Sequence, residues 1–295
     1  MHSVTAPPPP KNDFQRLSSL PSKLRAGLKL VLIVFWALLM LALLWLASAL
    51  KKPALRDRML LAFNRGLLVI LGMRLTVSGE LSAKRPLLLV TNHVSYLDII
   101  LLASCATVRF TPKSEIAKWP YMGTLCRVTG CIFIDRRPEQ VGEMKNKLKD
   151  ALAAGEVVCL FPEATTGNGV YVKEFKSGFF SLAQEDFGDQ ALSVQPAAIA
   201  YRHISGLPID STQWPMIAWY GDMDLLPHLW QLLCLPGISA ELVFLPPQQA
   251  GNDRKALASH CQKAVAGAIE EVRQRPKAIK IHKPQPFNPI RLRQK

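Results

Sequence analysis

The stretch Leu28–Leu50, LKLVLIVFWALLMLALLWLASAL, constrains this chain more than any other feature, because it holds a single charge, Lys29, close to its start. As a helix it reaches roughly 34 Å at about 1.5 Å per residue, enough to cross a hydrocarbon layer of about 30 Å. It is too long for the apolar core of a secretory signal peptide, and no small-residue cleavage pattern follows it. The run therefore reads as a membrane anchor. Basic residues flank both ends, Arg16, Lys23 and Arg25 before it and Lys51, Lys52, Arg56 and Arg58 after it, so the charge bias of a single crossing gives no orientation. A second apolar stretch, Met59–Leu75, is interrupted by Asn64, Arg65 and Gly66. Two arrangements fit: a hairpin that returns both basic flanks to one side, or one spanning helix followed by a helix lying in the interface. Residues 28–75 are assigned to this anchor. Residues 1–27, with Pro7 to Pro10 in succession, are assigned to a flexible, proline-rich, basic lead.

From about Val77 the pattern becomes that of a soluble domain, expected to occupy residues 76–275. Short apolar runs predict strands at Pro86–Thr91, Cys131–Ile134, Val157–Phe161, Val194–Tyr201 and Glu241–Leu245. Helical spacing predicts helices over Leu97–Ala106, Glu139–Ala154, Gly178–Asp186 and Asp253–Arg273, with Pro138 suited to a first turn and Gly155 to a stop. Strands alternating with helices predict an α/β fold with a mainly parallel sheet flanked by helices. Trp214–Pro236 is rich in Trp, Tyr and Leu but too broken by Pro, Gly and Asp to span a bilayer. It is either an interfacial segment or a crossover at the edge of the core. The tail 276–295 carries Lys277, Lys280, Lys283, Arg291, Arg293 and Lys295 and no acid, which suits a solvated tail or a contact for anionic headgroups.

The formal net charge of +14 implies an anionic partner, which could be nucleic acid, a membrane surface or an acidic substrate. The apolar anchor and the absence of a basic-aromatic recognition motif argue against nucleic acid. None of the six cysteines forms a CxxC pair, and several sit in apolar runs such as that around Cys159. This is the usage of reduced thiols in a cytosol-facing protein. No His or Cys spacing suggests a metal site.

The sharpest local signal is Asn92-His93-Val94-Ser95-Tyr96-Leu97-Asp98. It follows a predicted strand and opens a predicted helix, so its polar residues emerge at the carboxyl end of the strand, where open α/β sheets bind ligands. A histidine can take the proton of an alcohol, and an acid beside its other ring nitrogen fixes the tautomer and steadies the imidazolium that forms. His93 and Asp98 are the candidate catalytic pair. Other polar residues emerge from later strands. Arg136 offers a planar fork for phosphate oxygens. Glu163 either accepts a hydrogen bond from a substrate hydroxyl or organises its own loop. Thr165 and Thr166 either donate to an anionic headgroup or cap the turn before Gly167.

These residues fall in four ordered motifs that together resemble the glycerolipid acyltransferase family. Asn92–Asp98 resembles the H-x4-D signature of that family. Gly130-Cys131-Ile132-Phe133-Ile134-Asp135-Arg136 is similar to G-x-I-F-I-x-R, and Phe161-Pro162-Glu163-Ala164-Thr165-Thr166 to F-P-E-G-T-R. Val194-Gln195-Pro196-Ala197-Ala198 is similar to the apolar-proline strand. Lesser matches are Lys113 and the Phe175-Lys176-Ser177-Gly178 string. The resemblance implies transfer of a fatty acyl group from acyl-CoA or acyl carrier protein to the free hydroxyl of a lysolipid at the cytosolic face of a membrane. No cofactor is implied. It further implies substrate-binding roles for Arg136, Glu163, Thr165, Thr166, Lys113 and Lys176. Both donors are acidic, which suits the +14 charge.

Two departures bear on the acceptor. Ala164 stands where the family has glycine, and Thr166 where members that make phosphatidate carry arginine. The string through Gly169 looks more like members acting on lyso-ornithine lipid, lysophosphatidylcholine or lysophosphatidylethanolamine, which are the alternative; with Arg136 in place the leading expectation remains the 1-acyl-glycerol-3-phosphate type, in phospholipid biosynthesis. A membrane-tethered lipid-binding protein without catalysis is the alternative from another class, and an intact His93 and Asp98 argue against it.

Overall fold

A computed structural model describes residues 19–119, 122–134, 137, 141–188, 190–249 and 253–275. Arg136, most of the lead and the whole basic tail lie outside the described residues. The chain opens with helices α1 (Leu20–Ala49) and α2 (Pro53–Leu71), which fold back on each other. The α1 helix begins earlier than hydropathy alone indicates: Leu20–Gly27, expected as part of the flexible lead, forms its first turns. Its stretch Leu20–Ala47 is the one helix among the described residues long and apolar enough to cross a membrane.

The interruption within the second apolar stretch has a packing reason. A side chain at Gly66 would occupy the space of the Trp36 ring. The missing side chain lets the two helices close until the indole Nε1 of Trp36 donates to the Phe63 carbonyl at 3.0 Å. On its other side α2 is fastened to the rest of the protein near both ends. Arg56 donates to the Val128 carbonyl at 2.8 Å and Arg65 to the Ser104 carbonyl at 3.0 Å. Lys29, the lone charge of the apolar run, is buried. Its Nζ donates to the carbonyls of Leu71 and Leu235, each at 2.8 Å.

The sheet comprises β1 (Met73–Ser78), β2 (Leu87–Thr91), β3 (Arg109–Phe110), β4 (Val157–Leu160), β5 (Ser193–Ile204), β6 (Leu207–Pro208), β7 (Ile238–Phe244) and β8 (Gln248–Gln249), in the order β1-β7-β5-β2-β4-β3. The central strands β5, β2 and β4 run parallel to one another and to the edge strand β3, while β7, β6 and β8 pair with β5 antiparallel. The expected mainly parallel α/β sheet flanked by helices is present. The domain begins at Met73, slightly before the expected boundary at 76, because β1 pairs directly with β7.

Alternation along the strands divides the core into two layers. Leu87 and Leu89 of β2 and Ala197, Ile199 and Tyr201 of β5 face one cluster, with α3 (Leu97–Cys105) and α6 (Leu225–Cys234). Leu88, Val90, Ala198 and Ala200 face the other, with α5 (Val141–Ala153) and α7 (Arg254–Gln274). A short α4 (Met122–Val128) follows β3.

Two expected elements differ. Cys131–Ile134 is an edge segment with one isolated bridge, Lys113 to Ile134, rather than a full strand. It nonetheless bonds beside β3, Ile132 N–H to Phe110 at 2.9 Å and Ile134 N–H to Pro112 at 2.8 Å. Gly178–Asp186, expected as an α-helix, is a tighter 3₁₀ run over Ser177–Gln184. Its phenylalanines, Phe179 and Phe180, pack on the second layer.

Candidate active site

The loop that leaves β2 is clamped before it reaches the candidate base. The Asn92 side chain accepts from the Ile199 N–H at 2.8 Å and donates to the Ile199 carbonyl at 3.0 Å, tying it to the neighbouring strand β5. His93 follows, and its carbonyl accepts the Gly167 N–H at 2.7 Å. Asp98 lies in the first turn of α3 and is fully buried. Its Oδ2 is 2.8 Å from His93 Nδ1 and also accepts the Val94 and Ser95 N–H groups at 2.7 and 2.9 Å. Its Oδ1 accepts the Tyr201 hydroxyl at 2.6 Å. Four donors around one carboxylate satisfy a buried charge and fix its orientation.

The imidazole of His93 stacks on Phe161 with ring centroids 3.9 Å apart, and its side chain is 18% exposed. Among the described residues nothing bonds its Nε2. The sequence-predicted pair is therefore assembled, with the acid behind the ring and the second nitrogen towards the open side.

Phe161–Thr166 leaves β4 and wraps beside His93. Glu163 is buried, and its two oxygens accept the His93 N–H at 2.8 Å and the Lys173 N–H at 3.2 Å. Of the two roles open to Glu163, the geometry is that of a loop organiser. Burial pushes its carboxyl up to about 7, against the pull of these two N–H donors and of the Lys173 charge. Ala164 has φ +65°, the left-handed region where a glycine would be at ease. Gly169 also has a left-handed φ, of +79°, and a side chain there would collide with the Trp214 ring. Thr165 is exposed, whereas Thr166 is 8% exposed and its carbonyl accepts Lys173 Nζ at 2.8 Å.

The remaining candidates are more peripheral. Lys113 is exposed and precedes a 3₁₀ turn, bridged to Ile134 just before Arg136 in sequence. Lys176 is exposed, 3.4 Å from Glu174, and its N–H holds the Pro162 carbonyl at 2.9 Å. Among the described residues no group of three or more His, Cys, Asp or Glu could hold a metal ion.

Sequence reasoning missed Tyr201, Lys173 and the stacking role of Phe161. Tyr201 left a signal: it shares a strand face with Ala197 and Ile199, and a hydroxyl on an otherwise apolar inward face needs a buried acceptor.

A buried acid thus orients a partly exposed histidine at the carboxyl edge of the sheet, with a second acid-bearing loop against it. Residues 74–200 match the Acyltransferase family. The lyso-ornithine lipid O-acyltransferase of Rhizobium meliloti is 39% identical over 175 residues, 58% of this chain and 60% of that protein. That of Pseudomonas aeruginosa is 36% identical over 216 residues, 73% of this chain and 80% of that protein. The crystal structure of the 1-acyl-sn-glycerophosphate acyltransferase PlsC from Thermotoga maritima superposes with a TM-score of 0.64 at 20% identity, covering 89% of this chain and 99% of that one, and so shares the fold. The chain belongs to the glycerolipid acyltransferase family. It is an enzyme of the acyl-transferring class, associated with membranes.

Proposed function

We propose that this enzyme acylates the free hydroxyl of a lysolipid, with lyso-ornithine lipid as the preferred acceptor and acyl-CoA or acyl carrier protein as donor. The observation that carries the chemistry is the 2.8 Å contact of His93 Nδ1 with the four-donor carboxylate of Asp98. His93 Nε2 removes the proton of the acceptor hydroxyl as the oxygen attacks the thioester carbonyl. Asp98 steadies the imidazolium. The tetrahedral oxyanion collapses, the C–S bond breaks, and the thiolate leaves with the proton from His93. Acyl group and proton balance without a covalent acyl-enzyme.

Position 166 supports the acceptor. A phosphate monoester approaches −2 charge and favours a second arginine fork, but Thr166 is a buried neutral residue beside Lys173. The relatives in Rhizobium meliloti and Pseudomonas aeruginosa, both named for lyso-ornithine lipid, support the same reading. Arg136, Lys113 and Lys176 are the candidates for anionic groups of donor or acceptor.

The α1–α2 pair supports the location. Arg56 and Arg65 fasten α2 to the catalytic domain, which holds that domain against the anchor, and a cytosolic thioester donor requires the domain on the cytosolic face.

The test is purified protein with a panel of lysolipids and both donor types, read by mass spectrometry. Lyso-ornithine lipid should be acylated at least as fast as lysophosphatidic acid. His93→Ala should lower kcat by about 10²–10⁴ while the protein still inserts. A hundredfold preference for lysophosphatidic acid would refute the acceptor, and activity of His93→Ala within threefold of wild type would refute the base.

A further inference from the structure

The outer face of α6 is left bare by the fold. Leu226 is 74% exposed and Trp230, one turn on, 41% exposed, and residues at this spacing share a helix face. The opposite face is in the core: Leu232 packs in the same cluster as Leu97 and Leu101 of the catalytic helix. His228, buried on that inner side, has Nδ1 3.0 Å from the Tyr96 hydroxyl, within the catalytic motif. Just before α6, the Trp219 N–H donates to the Val94 carbonyl at 3.0 Å.

The far end of α6 is tied to the anchor. Arg25 donates to the Cys234 carbonyl at 3.0 Å and Lys29 to that of Leu235 at 2.8 Å. At this level α1 exposes Leu20, Leu24 and Leu28 at four-residue spacing, beside the side that carries Arg25 and Lys29. Lys23 is exposed among them.

We propose that α6 is a second membrane-docking element, whose Leu226–Trp230 face enters the boundary between headgroups and acyl chains beside α1 and seats the catalytic motif at the bilayer surface. The occupant is a lipid surface because this face adjoins the apolar exterior of α1, and because Trp and Leu with a nearby lysine suit that boundary. The exposed Asp222 and Asp224 immediately before the helix limit its depth to the headgroup layer. Through Tyr96 and Val94 its inner face transmits this seating to the residues flanking His93. The kinetic part of the test rests on the acyltransferase reading, and the spectroscopic part is independent of it.

The full-length protein is reconstituted in phosphatidylcholine vesicles. The emission lost in Trp230→Phe should be quenched by lipid brominated high on the acyl chains and shielded from aqueous iodide. The reverse pattern overturns the proposal. In the Leu226→Asp/Trp230→Asp variant, KM for a vesicle-embedded lysolipid should rise about tenfold or more, the cost of withdrawing two large apolar side chains from lipid. The rate on a short-chain, water-soluble lysolipid should change less than twofold. Equal losses on both acceptors, or no loss on either, overturn the coupling. Conversion from dimer to monomer by light scattering would give the face to a second copy and also overturn it. Absence of transfer by wild type to either acceptor would sink the acyltransferase reading while leaving the quenching result to decide docking.

Discussion

Asp98 has no spare lone pair facing solvent, and Tyr201 is what completes its shell. A phenylalanine would fill the same apolar space, so the hydroxyl can be tested almost alone. Tyr201→Phe removes one hydrogen bond to a charged group, worth about 1.5–3 kcal/mol. It should lower kcat about tenfold with KM for both substrates nearly unchanged, and steady-state kinetics at several pH values would show it. An unchanged kcat would mean that the backbone N–H groups alone orient the carboxylate. Glu163 makes a different prediction. Its carboxyl, pushed to about 7 by burial from the usual 4.5, holds a proton in the folded chain that the unfolded chain releases at lower pH. Its contribution to stability is therefore most favourable below about pH 4.5 and declines as pH rises to about 7. The total is about 3 kcal/mol at about 1.4 kcal/mol per unit. Glu163→Gln should flatten that slope, as measured by denaturant unfolding in detergent across the same range. Ala164 offers a gain rather than a loss. At φ +65°, Ala164→Gly should raise stability by about 1 kcal/mol, visible as a higher melting temperature.

At the scale of elements, the hairpin depends on one missing side chain. Gly66→Leu would drive apart α1 and α2 at Trp36, a small-to-large change costing about 1–3 kcal/mol or more where the backbone must move. Limited proteolysis should then cut the connection at residues 50–52 faster than in wild type. The sequence showed this interruption as polar punctuation in an apolar stretch. Its meaning was hidden because the partner of Gly66 is Trp36, thirty positions away on another element. The long central strands were legible because they are buried on both faces and read as apolar runs. The short edge strand β3, and Cys131–Ile134 beside it, were not, since their pairing is decided by neighbours rather than by their own composition. The catalytic pair was legible because both members sit in one local turn. Tyr201 was not, because it lies 103 positions from Asp98 and meets it only when β5 pairs with β2.

For the whole molecule, sidedness is the decisive property, since the proposed thioester donors are cytosolic and the proposed acceptor lies in lipid. An engineered cysteine at the exposed Asp186 should resist an impermeant thiol reagent on intact cells and react once the membrane is opened, compared with the wild-type background. Labelling before opening would place the catalytic domain outside.

The buried Lys29 also orders the synthesis of the protein in time. Its ammonium group is satisfied by Leu71 and Leu235, and the second contact lies 206 positions downstream. At roughly 5–20 residues per second the ribosome takes tens of seconds to cover that distance. Through that interval the nascent anchor carries a cation without its full set of acceptors in the most apolar part of the chain. Maturation of the anchor therefore waits until the chain has reached nearly the last strand of the sheet.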